Sequence, residues 1–321
     1  MNKPLSSPPW SGAPDQLLDC VIVGGGPGGL TAAVYLTRFL RNCVVIDAGS
    51  GRAASIPVSH NLPGFPEGIS GADLLARLGA QLSRYGGLVT HGEVDAIIPS
   101  NGNFLVSYGL ERLRSRSIIL ATGVVNHRPA LSDAMHNVGV RRGLIRYCPI
   151  CDGYEARHGS IAVLGADRHG AEEALFLSGY GAMVTLLAQQ GLDLPADAMA
   201  ALHGAGVQVI STPVAYLDVT GSQVQVLLRD EQRLSFDTLY PALGSSARSS
   251  LATSIGAKAS ASGCLVTDAH QRTTVKGLYA VGDVVDGLDQ ISVAAGHAAT
   301  AATAIHNYLR ELDDLVGPNA S

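Results

Sequence analysis

Apolar and polar positions follow one another along the chain in blocks that predict a parallel sheet with helical crossovers. A short apolar run at Cys20–Val23 is followed by a glycine-rich stretch, a helical pattern at Leu30–Arg38 and a second apolar run at Cys43–Asp47. Short, continuous apolar runs are typical of strands that are buried on both faces, and a strand, helix, strand order makes the two strands parallel. We therefore predict a βαβ unit near the start of the chain.

The same order returns in the middle of the chain. Apolar runs at Ser160–Gly165 and Ala182–Leu187 flank a helical pattern at Ala171–Leu177. Further on, the run Leu278–Val281 leads through a loop into a long alanine-rich helix that begins at Ile291. The fold class expected from these blocks is α/β, with two Rossmann-like, doubly wound, three-layer domains.

The composition narrows the class of protein. The 321 residues suffice for about two domains, and a content of 46% hydrophobic and 15% charged residues excludes a disordered chain. The net charge is −5 and no basic run occurs, so we expect no nucleic-acid partner. The 38 glycines indicate many tight turns or close approaches of the backbone to a ligand.

The sequence also bears on the compartment. Met1–Asp19 is polar and rich in Pro and Ser, which predicts a loose arm and not a signal peptide. No stretch is apolar for the roughly 18 residues that a membrane span needs, so we expect no membrane partner. Among the 5 cysteines only Cys148 and Cys151 are close together, which disfavours a secreted disulfide framework. We expect a soluble, cytoplasmic protein.

The glycine-rich stretch carries a dinucleotide-binding pattern. Gly24, Gly26 and Gly29 follow a predicted strand and open a predicted helix, and Asp47 ends the next strand. In this context the glycines permit the turn, the approach of a pyrophosphate and the packing of helix on strand, and the carboxylate binds a ribose. Without that context, the pattern is only a glycine turn.

A second motif is Cys148-Pro-Ile-Cys151-Asp152-Gly153. Two cysteines three residues apart at a helix start can close a disulfide, and the helix N-terminus stabilises the thiolate. Asp152 adds a carboxyl group that can carry the proton. A zinc site and a pair of structural thiols are the alternatives; zinc needs four ligands, and the other cysteines are scattered. We favour a redox dithiol.

A third motif is the loop after Leu278–Val281, where Gly282 and Asp283 are followed by Asp289, Gln290 and Ile291. An Asp after a Gly at a strand end can reach a ribityl hydroxyl, and small residues in the following helix allow a flat ring to approach. Alone the motif is a capped loop. With the other two motifs it completes a flavin site.

Together these motifs resemble those of the low-molecular-weight thioredoxin reductases and related FAD-dependent disulfide oxidoreductases, over residues 18–310. The resemblance rests on five segments in order, which are Gly24–Gly29, His60–Gly71, Ala121–Gly123, Cys148–Gly153 and Gly282–Val285. It implies a homodimer whose FAD-binding domain, residues 18–126 and 248–321, is interrupted by a smaller NAD(P)H-type domain, residues 127–247. Residues 1–17 are then a flexible arm.

The resemblance also implies roles for single residues. Cys151 matches the thiol beside the flavin, Cys148 the outer thiol that attacks the partner, and Asp152 the general acid. Asp47 matches the residue that binds the adenosine ribose, and Val94 one that touches adenine. The residues that match FAD-binding positions are Gly24, Gly26, Pro27, Gly28, Gly29, Asp47, Arg52, Asn61, Val94, Ala121, Thr122, Gly123, Gly282, Asp283, Gln290 and Ile291.

The sequence departs from the family pattern at Arg52, where a glutamine is usual, and more strongly in the second βαβ unit. There the NADPH fingerprint is degenerate, because Asp167 stands where a glycine would contact pyrophosphate and adds bulk and a like charge. No Lys or Arg occurs from His169 to Leu228 to hold a 2′-phosphate, and Gln189 supplies no carboxylate for an NADH ribose. Arg168 could offset the charge in part. NADPH is therefore a doubtful cofactor.

We expect electrons to pass between FAD and the Cys148/Cys151 pair, and then to a thioredoxin-like protein or a small disulfide. A ferredoxin-type donor, or oxygen as acceptor, fits the degenerate fingerprint. An ordinary NADPH-dependent thioredoxin reductase is the alternative, and a flavin-binding redox sensor without turnover is the alternative of another class.

The remaining histidines and cysteines carry weaker signals. For four of the 10 histidines we predict surface or packing roles, although one near the flavin could serve as a base; they are His127, His158, His169 and His297. The three other cysteines lie in apolar strand contexts and are predicted to be small buried hydrophobic residues; they are Cys20, Cys43 and Cys264.

Overall fold

A computed structural model describes residues 16–165 and 167–316. In these ranges the strands are, in chain order, β1 Leu17–Val23, β2 Cys43–Asp47, β3 Leu88–His91, β4 Val94–Ser100, β5 Asn103–Tyr108, β6 Glu111–Leu120, β7 Val124–Asn126, β8 Ser160–Leu164, β9 Met183–Leu187, β10 Gln208–Ile210, β11 Val214–Asp218, β12 Val224–Leu228, β13 Arg233–Phe236, β14 Thr238–Pro241, β15 Ser245–Ala247 and β16 Leu278–Ala280. The helices are α1 Pro27–Arg38, α2 Gly71–Arg84, α3 Asp133–Arg141, α4 Pro149–Ala156, α5 Arg168–Ser178, α6 Ala196–Gly204, α7 Ser250–Thr253 and α8 Ile291–Val316. The predicted strands and helices are confirmed.

The chain divides into two compact units. The first holds the described residues up to Ala54, then Gly71–Val125 and the described residues from Ser246 on. The second holds Ser55–Ser70 and Asn126–Ser245. The structure thus assigns Ser55–Ser70 to the second unit, whereas the division expected from the sequence included this segment in the FAD-binding domain, within residues 18–126. It folds back on itself through the bridge between Ser59 and Ile69, and it contacts α4 of the second unit.

The first unit is built on a parallel sheet in which β6 is central. Strand β1 pairs with β2 and β6, β2 pairs with β3, and β16 pairs with β6, all in parallel. Strands β4, β5 and the start of β6 form an antiparallel meander. The carboxyl ends of β1, β6 and β16 thus lie side by side at one edge, where ligands bind in open α/β sheets.

Residues of β1 alternate between the two cores of this unit. Cys20 and Ile22 pack with α1, α2 and α8 on one face. Val21 and Val23 pack with β4, β5 and the region around α7 on the other. Because both faces are covered, the strand is apolar throughout. The α/β class with Rossmann-like sheets is confirmed; the antiparallel strands that cover the second face were not predicted.

The second unit repeats this plan. Its parallel sheet has the order β10, β9, β8, β14, with α4, α5 and α6 on one face. The antiparallel strands β11, β12 and β13 cover the other face. Strands β7 and β15 pair with each other where the chain leaves the first unit and returns to it.

The loose arm predicted for Met1–Asp19 falls largely on residues 1–15, which lie outside the described residues. At its end the prediction is wrong, because Leu17–Asp19 belong to β1 and Leu18 is fully buried. Asp19 pairs with Arg116 at 3.1 Å, and Arg116 also reaches Asp313 at 2.7 Å. These ion pairs thus connect the start of β1 to β6 and to α8. In the described ranges, no helix is long and apolar enough to cross a membrane.

Candidate functional site

The glycine turn between β1 and α1 is held by close contacts of its own backbone. Gly24 has a φ of +109°, and a Cβ there would collide with the carbonyl oxygen of Ala121. A Cβ at Gly29 would collide with the carbonyl oxygen of Gly24, so α1 packs directly on the strand. Gly26 caps the helix and has no atom within 4 Å of its Cβ position. The turn is therefore closely packed at Gly24 and Gly29 and open at the helix N-terminus, which is a position where anions can bind.

The carboxylate of Asp47 closes one side of this turn. Its Oδ1 accepts a 2.9 Å hydrogen bond from the backbone N–H of Gly25, and a Cβ on Gly25 would lie 2.7 Å from the carboxylate carbon. Val94, at the start of β4, has its side chain in the apolar core. Its backbone is therefore the group that an adjacent ring could meet.

The carboxyl ends of β6 and β16 place further predicted residues in the first unit. The Thr122 hydroxyl donates to the carbonyl of Arg248 at 2.7 Å, and Gly123 has a φ of +65°. Gly28 of α1 lies against Val281 and Ala294, with a Cβ position 3.3 Å from the Val281 side chain. The start of α1, the end of β16 and the first turn of α8 are thus packed together. Gln290 and Ile291 stand at that end of α8.

Asp283 is paired with Arg52, another predicted site residue. Nη2 of Arg52 donates to Asp283 at 2.8 Å and to Asp289 at 3.2 Å. Burial and the nearby Asp283 charge raise the pKa of Asp289, against the opposing effect of Arg52. An open cradle at a helix start, a carboxylate at the end of β2 and a second carboxylate after β16 fit a dinucleotide such as FAD.

In the second unit, Cys148 and Cys151 form a disulfide, with Cα atoms 5.2 Å apart. Cys148 is the N-cap of α4, and its Sγ accepts a hydrogen bond from the N–H of Cys151 at 3.1 Å. Pro149 occupies the first helical position, where its missing N–H costs nothing. The sequence Cys-Pro-Ile-Cys therefore builds the helix start that supports the Cys148 sulfur.

Asp152 lies one residue beyond, in a partly buried network. The Tyr240 hydroxyl donates to its Oδ1 at 2.7 Å, and Nη1 of Arg146 lies 3.2 Å from its Oδ2. Burial raises the pKa of Asp152, while Arg146 and the Tyr240 hydrogen bond act in the opposite direction. Burial and the Asp152 charge raise the pKa of Tyr240, so this phenol stays a donor. Sequence reasoning missed both partners.

Asn61 lies against the disulfide loop, within the second unit. Its Nδ2 donates to the carbonyl of Ile150 at 3.4 Å, and its Oδ1 accepts from the Ser59 hydroxyl at 3.0 Å. A predicted flavin-site residue is thus brought to the Cys-Pro-Ile-Cys turn.

The turn before α5 holds the degenerate fingerprint. Asp167 is the N-cap of α5, and its Oδ1 accepts from the N–H of Gly170 at 3.0 Å. Gly165 and Gly170 are in contact, since a Cβ on Gly170 would lie 3.0 Å from the Gly165 carbonyl carbon. Arg168 is engaged elsewhere, in a 3.0 Å ion pair with Asp197. The helix N-terminus that would receive a phosphate thus already holds the chain's own carboxylate; Ala166 in this turn lies outside the described residues.

Three of the four histidines singled out in the sequence have ordinary surroundings. Nδ1 of His127 lies 2.8 Å from the Leu243 carbonyl, His158 is exposed, and His169 pairs with Glu173 at 3.2 Å. His297 differs, because its Nδ1 is buried and has no hydrogen-bond partner among the described residues. Burial lowers the pKa of His297.

The prediction for the lone cysteines is correct for two of them. Cys20 and Cys43 are buried in β1 and β2. Cys264 is partly exposed and lies in a loop, so the prediction of a buried strand residue is wrong there. The apolar residues Leu265 and Val266 follow Cys264 in sequence and suggested a buried strand. Of these two residues, Leu265 is fully buried and Val266 is exposed. Within the described ranges, no group of three His, Cys, Asp or Glu residues is arranged to hold a metal ion.

Comparisons with known proteins agree with this geometry. The sequence profile of the family "Pyridine nucleotide-disulphide oxidoreductase" matches residues 18–298. The chain is 30% identical to NADPH-dependent thioredoxin reductase 3 of Arabidopsis thaliana over 97% of its own length, and it spans 62% of that relative. It is 25% identical to thioredoxin reductase of Bacillus subtilis, with 94% and 97% of the two chains covered.

A solved structure is similar along nearly the whole chain. Thioredoxin reductase from Streptococcus pyogenes superimposes with a TM-score of 0.84 at 25% identity, covering 92% of this chain and 99% of that one.

Proposed function

The chain belongs to the pyridine nucleotide-disulphide oxidoreductase family and is a FAD-dependent, thioredoxin reductase-like disulfide oxidoreductase, and from this premise we propose that it exchanges electrons through Cys148 and Cys151 without efficient use of NADPH. The observation that supports the proposal is the Asp167 carboxylate at the α5 N-terminus. It gives the second unit a folded turn that resembles a nucleotide site and repels a phosphate.

FAD, when bound, supplies two-electron redox chemistry. The residues proposed to hold it are those of the first unit's open edge. The α1 N-terminus that begins at Gly26 and Pro27 would meet the diphosphate, Asp47 would accept from the adenosine ribose, and Asp283 would accept from the ribityl chain. Gln290 and Ile291 offer the N-terminus of α8 to the ring. Asn61, which lies at the disulfide loop, stays a predicted flavin-site residue.

The disulfide is the group that carries electrons to the substrate. Two electrons and two protons convert Cys148–Cys151 to a dithiol. The Cys148 thiolate, supported at the start of α4, attacks a substrate disulfide and releases one substrate thiol. Cys151 then attacks the mixed disulfide, releases the second thiol and restores the Cys148–Cys151 bond. Electrons and protons balance, with one disulfide reduced for each one re-formed.

Asp152 is proposed to hold the proton that these steps move. Burial raises its pKa, which brings a carboxyl group closer to the range in which it can accept and return a proton. The Tyr240 hydrogen bond and Arg146 fix its two oxygens in place. The proposed partner is a thioredoxin-like protein or a small disulfide, and the homodimer and the cytoplasmic location stay predictions.

Three features of the second unit weigh against a pyridine nucleotide. Asp167 occupies the anion position, and Arg168 pairs with Asp197. Ala188, which follows β9, is fully buried, and its methyl side chain has no polar group to recognise a ribose or its phosphate. A ferredoxin-type donor is therefore proposed in place of NADPH for disulfide reduction. In the reverse direction, in which a substrate dithiol supplies the electrons, the proposed acceptor is oxygen. The printed name of the Arabidopsis relative, which includes NADPH dependence, makes the ordinary NADPH-driven reductase the alternative to test.

The test is an anaerobic stopped-flow measurement of flavin reduction in the FAD-loaded protein. NADPH, NADH, a reduced ferredoxin and a dithiol are compared as donors. We expect slow bleaching by the nucleotides and a gain with NADPH in the variant Asp167→Gly with Gln189→Arg and Gln190→Arg. The variant with the two arginines alone, which keeps Asp167, is the matched control. Rapid wild-type bleaching by micromolar NADPH that the triple substitution does not improve would identify an ordinary NADPH-dependent reductase.

A further inference from the structure

Three distant segments of the first unit are joined by one guanidinium group. Arg52 starts the short helical turn Arg52–Ser55, Asp283 lies in the turn after β16, and Asp289 precedes α8. Both carboxylates accept from Nη2 of Arg52, at 2.8 and 3.2 Å. All three side chains are partly buried, with 31%, 21% and 36% of their surfaces exposed. The pairing is therefore only partly screened by solvent.

The charges of this cluster do not cancel. Two carboxylates share one cation, so the cluster carries a net charge of −1 when all three groups are ionised. Burial and the neighbouring Asp283 raise the pKa of Asp289, which is the direction expected when two like charges face each other. In the described residues, Arg52 is the cation paired with Asp283 and Asp289. Its loss would leave the two acids uncompensated.

The cluster stands beside the place proposed for the flavin dinucleotide. Gly282, next to Asp283, has its Cβ position 3.4 Å from Ala294 of α8, and Ala294 in turn contacts Gly28 of α1. The turn that would receive the diphosphate thus adjoins the segment that carries Asp283. A diphosphate brings further negative charge, so binding is opposed by any carboxylate that lacks a counter-charge.

We propose that Arg52 serves the FAD site through its two carboxylates: it compensates Asp283 and Asp289 so that Asp283 can accept from the ribityl chain beside the diphosphate. Asp289 is then the positioning residue of the set, because it sets how much of the Arg52 charge reaches Asp283. This inference rests on the proposed role of the first unit in binding FAD.

The test is a double-mutant cycle that measures FAD affinity of the apoprotein by the quenching of flavin fluorescence. Arg52→Gln is expected to weaken FAD binding at least tenfold. Asp289→Asn alone is expected to change it less than threefold, since Arg52 keeps Asp283 compensated. The double variant Arg52→Gln with Asp289→Asn restores the net charge of −1 but leaves Asp283 without its counter-charge. It is therefore expected to bind FAD at least threefold more tightly than Arg52→Gln and still more weakly than wild type.

The matched control removes a different acid from the same loop. Asp286 is exposed, so Arg52→Gln with Asp286→Asn is expected to bind FAD as weakly as Arg52→Gln. The flavin reduction potential gives a second readout. It should fall in Arg52→Gln, because the loss of the cation leaves more net negative charge, which opposes reduction, and it should return in part in the double variant.

Two results overturn the inference. A double variant that binds FAD no better than Arg52→Gln means that Arg52 acts on the flavin directly. Equal recovery with Asp286→Asn means a general charge effect. A wild-type apoprotein that folds but does not bind FAD at all would instead refute the proposed function, which keeps the two failures apart.

Discussion

The Tyr240 hydroxyl donates a 2.7 Å hydrogen bond to the carboxylate of Asp152, which lies 88 residues earlier in the chain. Tyr240 lies in β14 and is fully buried. Asp152 lies in α4, directly after the second cysteine of the disulfide. The sheet of the second unit thus fixes the acid that is proposed to move protons beside Cys151.

Tyr240→Phe should shift the pH dependence of disulfide reduction. The hydrogen bond favours the carboxylate, so its loss should raise the pKa of Asp152 further and move the acidic limb of the profile to higher pH. Stability should fall by about 1 kcal/mol. The measurement is the rate at which a dithiol reduces the Cys148–Cys151 disulfide, determined from pH 4 to 9 in wild type and variant.

Tyr180→Phe is the control for this prediction, because the Tyr180 ring contacts Gly153 of the same helix without serving Asp152. The folding equilibrium gives a second check. The raised pKa of Asp152 means that the native state binds its proton more tightly, so this group's contribution to stability decreases as pH rises from the unfolded to the folded pKa. An unchanged profile in Tyr240→Phe would remove Asp152 from the proton path.

Replacing either cysteine of the disulfide should give different spectra. If Cys151 faces the flavin, Cys148→Ser should leave a thiolate that forms a long-wavelength charge-transfer band, and Cys151→Ser should abolish it. In Cys151→Ser, the Cys148 thiol at the start of α4 should react quickly with iodoacetamide, because the helix N-terminus stabilises its thiolate. The visible spectra of the two loaded variants decide the assignment, and equal bands would contradict it.

Two alanine substitutions in the glycine turn should separate folding from FAD binding. Gly29→Ala places a methyl group on the Gly24 carbonyl oxygen and should destabilise the apoprotein by about 1–3 kcal/mol or prevent folding. Gly26→Ala has open space and a φ of −71°, so it should cost about 1 kcal/mol or less while weakening FAD binding at least ~10-fold.

Apoprotein denaturation and flavin fluorescence report these two effects separately. If Gly26→Ala binds FAD as tightly as wild type, the open side of the turn does not receive the diphosphate.

The three cysteines outside the disulfide should differ in reactivity. Burial raises the pKa of Cys43 to about 11 and raises that of Cys20, so neither should react with a thiol reagent in the folded, oxidised protein. Cys264 is partly exposed and should give one rapid equivalent, which Cys264→Ser removes. Unfolding should release the other two. A fast reaction of two or more thiols in the folded protein would contradict the burial of β1 and β2.

Asp167 should also be needed for the stability of α5. Asp167→Ala removes the cap and should lower stability by about 0.5–2 kcal/mol, whereas Asp167→Ser keeps a capping oxygen and should change it by a few tenths. Equilibrium denaturation in urea measures both. Equal losses in the two variants would mean that the carboxylate does more than cap the helix.

Much of this architecture could be predicted because it depends on local sequence. The turn at Gly24–Gly29 and the helix start at Cys148 each need particular residue types within a few positions. These residue types can be recognised in the sequence, so both local structures could be predicted. The partners of Asp152 could not be found this way. Tyr240 is an apolar-strand residue by pattern, and only the parallel pairing of β14 with β8 brings it to α4.

The segment Ser55–Ser70 shows the same limit on a larger scale. Its motif resembles one in a flavin domain, yet its packing places it with the second unit, since contacts across 89 residues decide where it lies. The ion pair of Arg52 with Asp289 joins residues 237 positions apart. The residues around either one in the sequence do not indicate the other as its partner.

The turn before α5 separates the demands of folding from those of ligand binding. Gly165 and Gly170 touch each other, and a side chain at Gly165 would also press on the Ala242 carbonyl at 2.9 Å, so folding alone requires both positions to be small. Position 167 has a different constraint, because any residue that caps the helix satisfies the fold there. A change at position 167 among Asp, Asn, Ser and Thr can therefore alter what the turn binds while the packing of the unit stays intact.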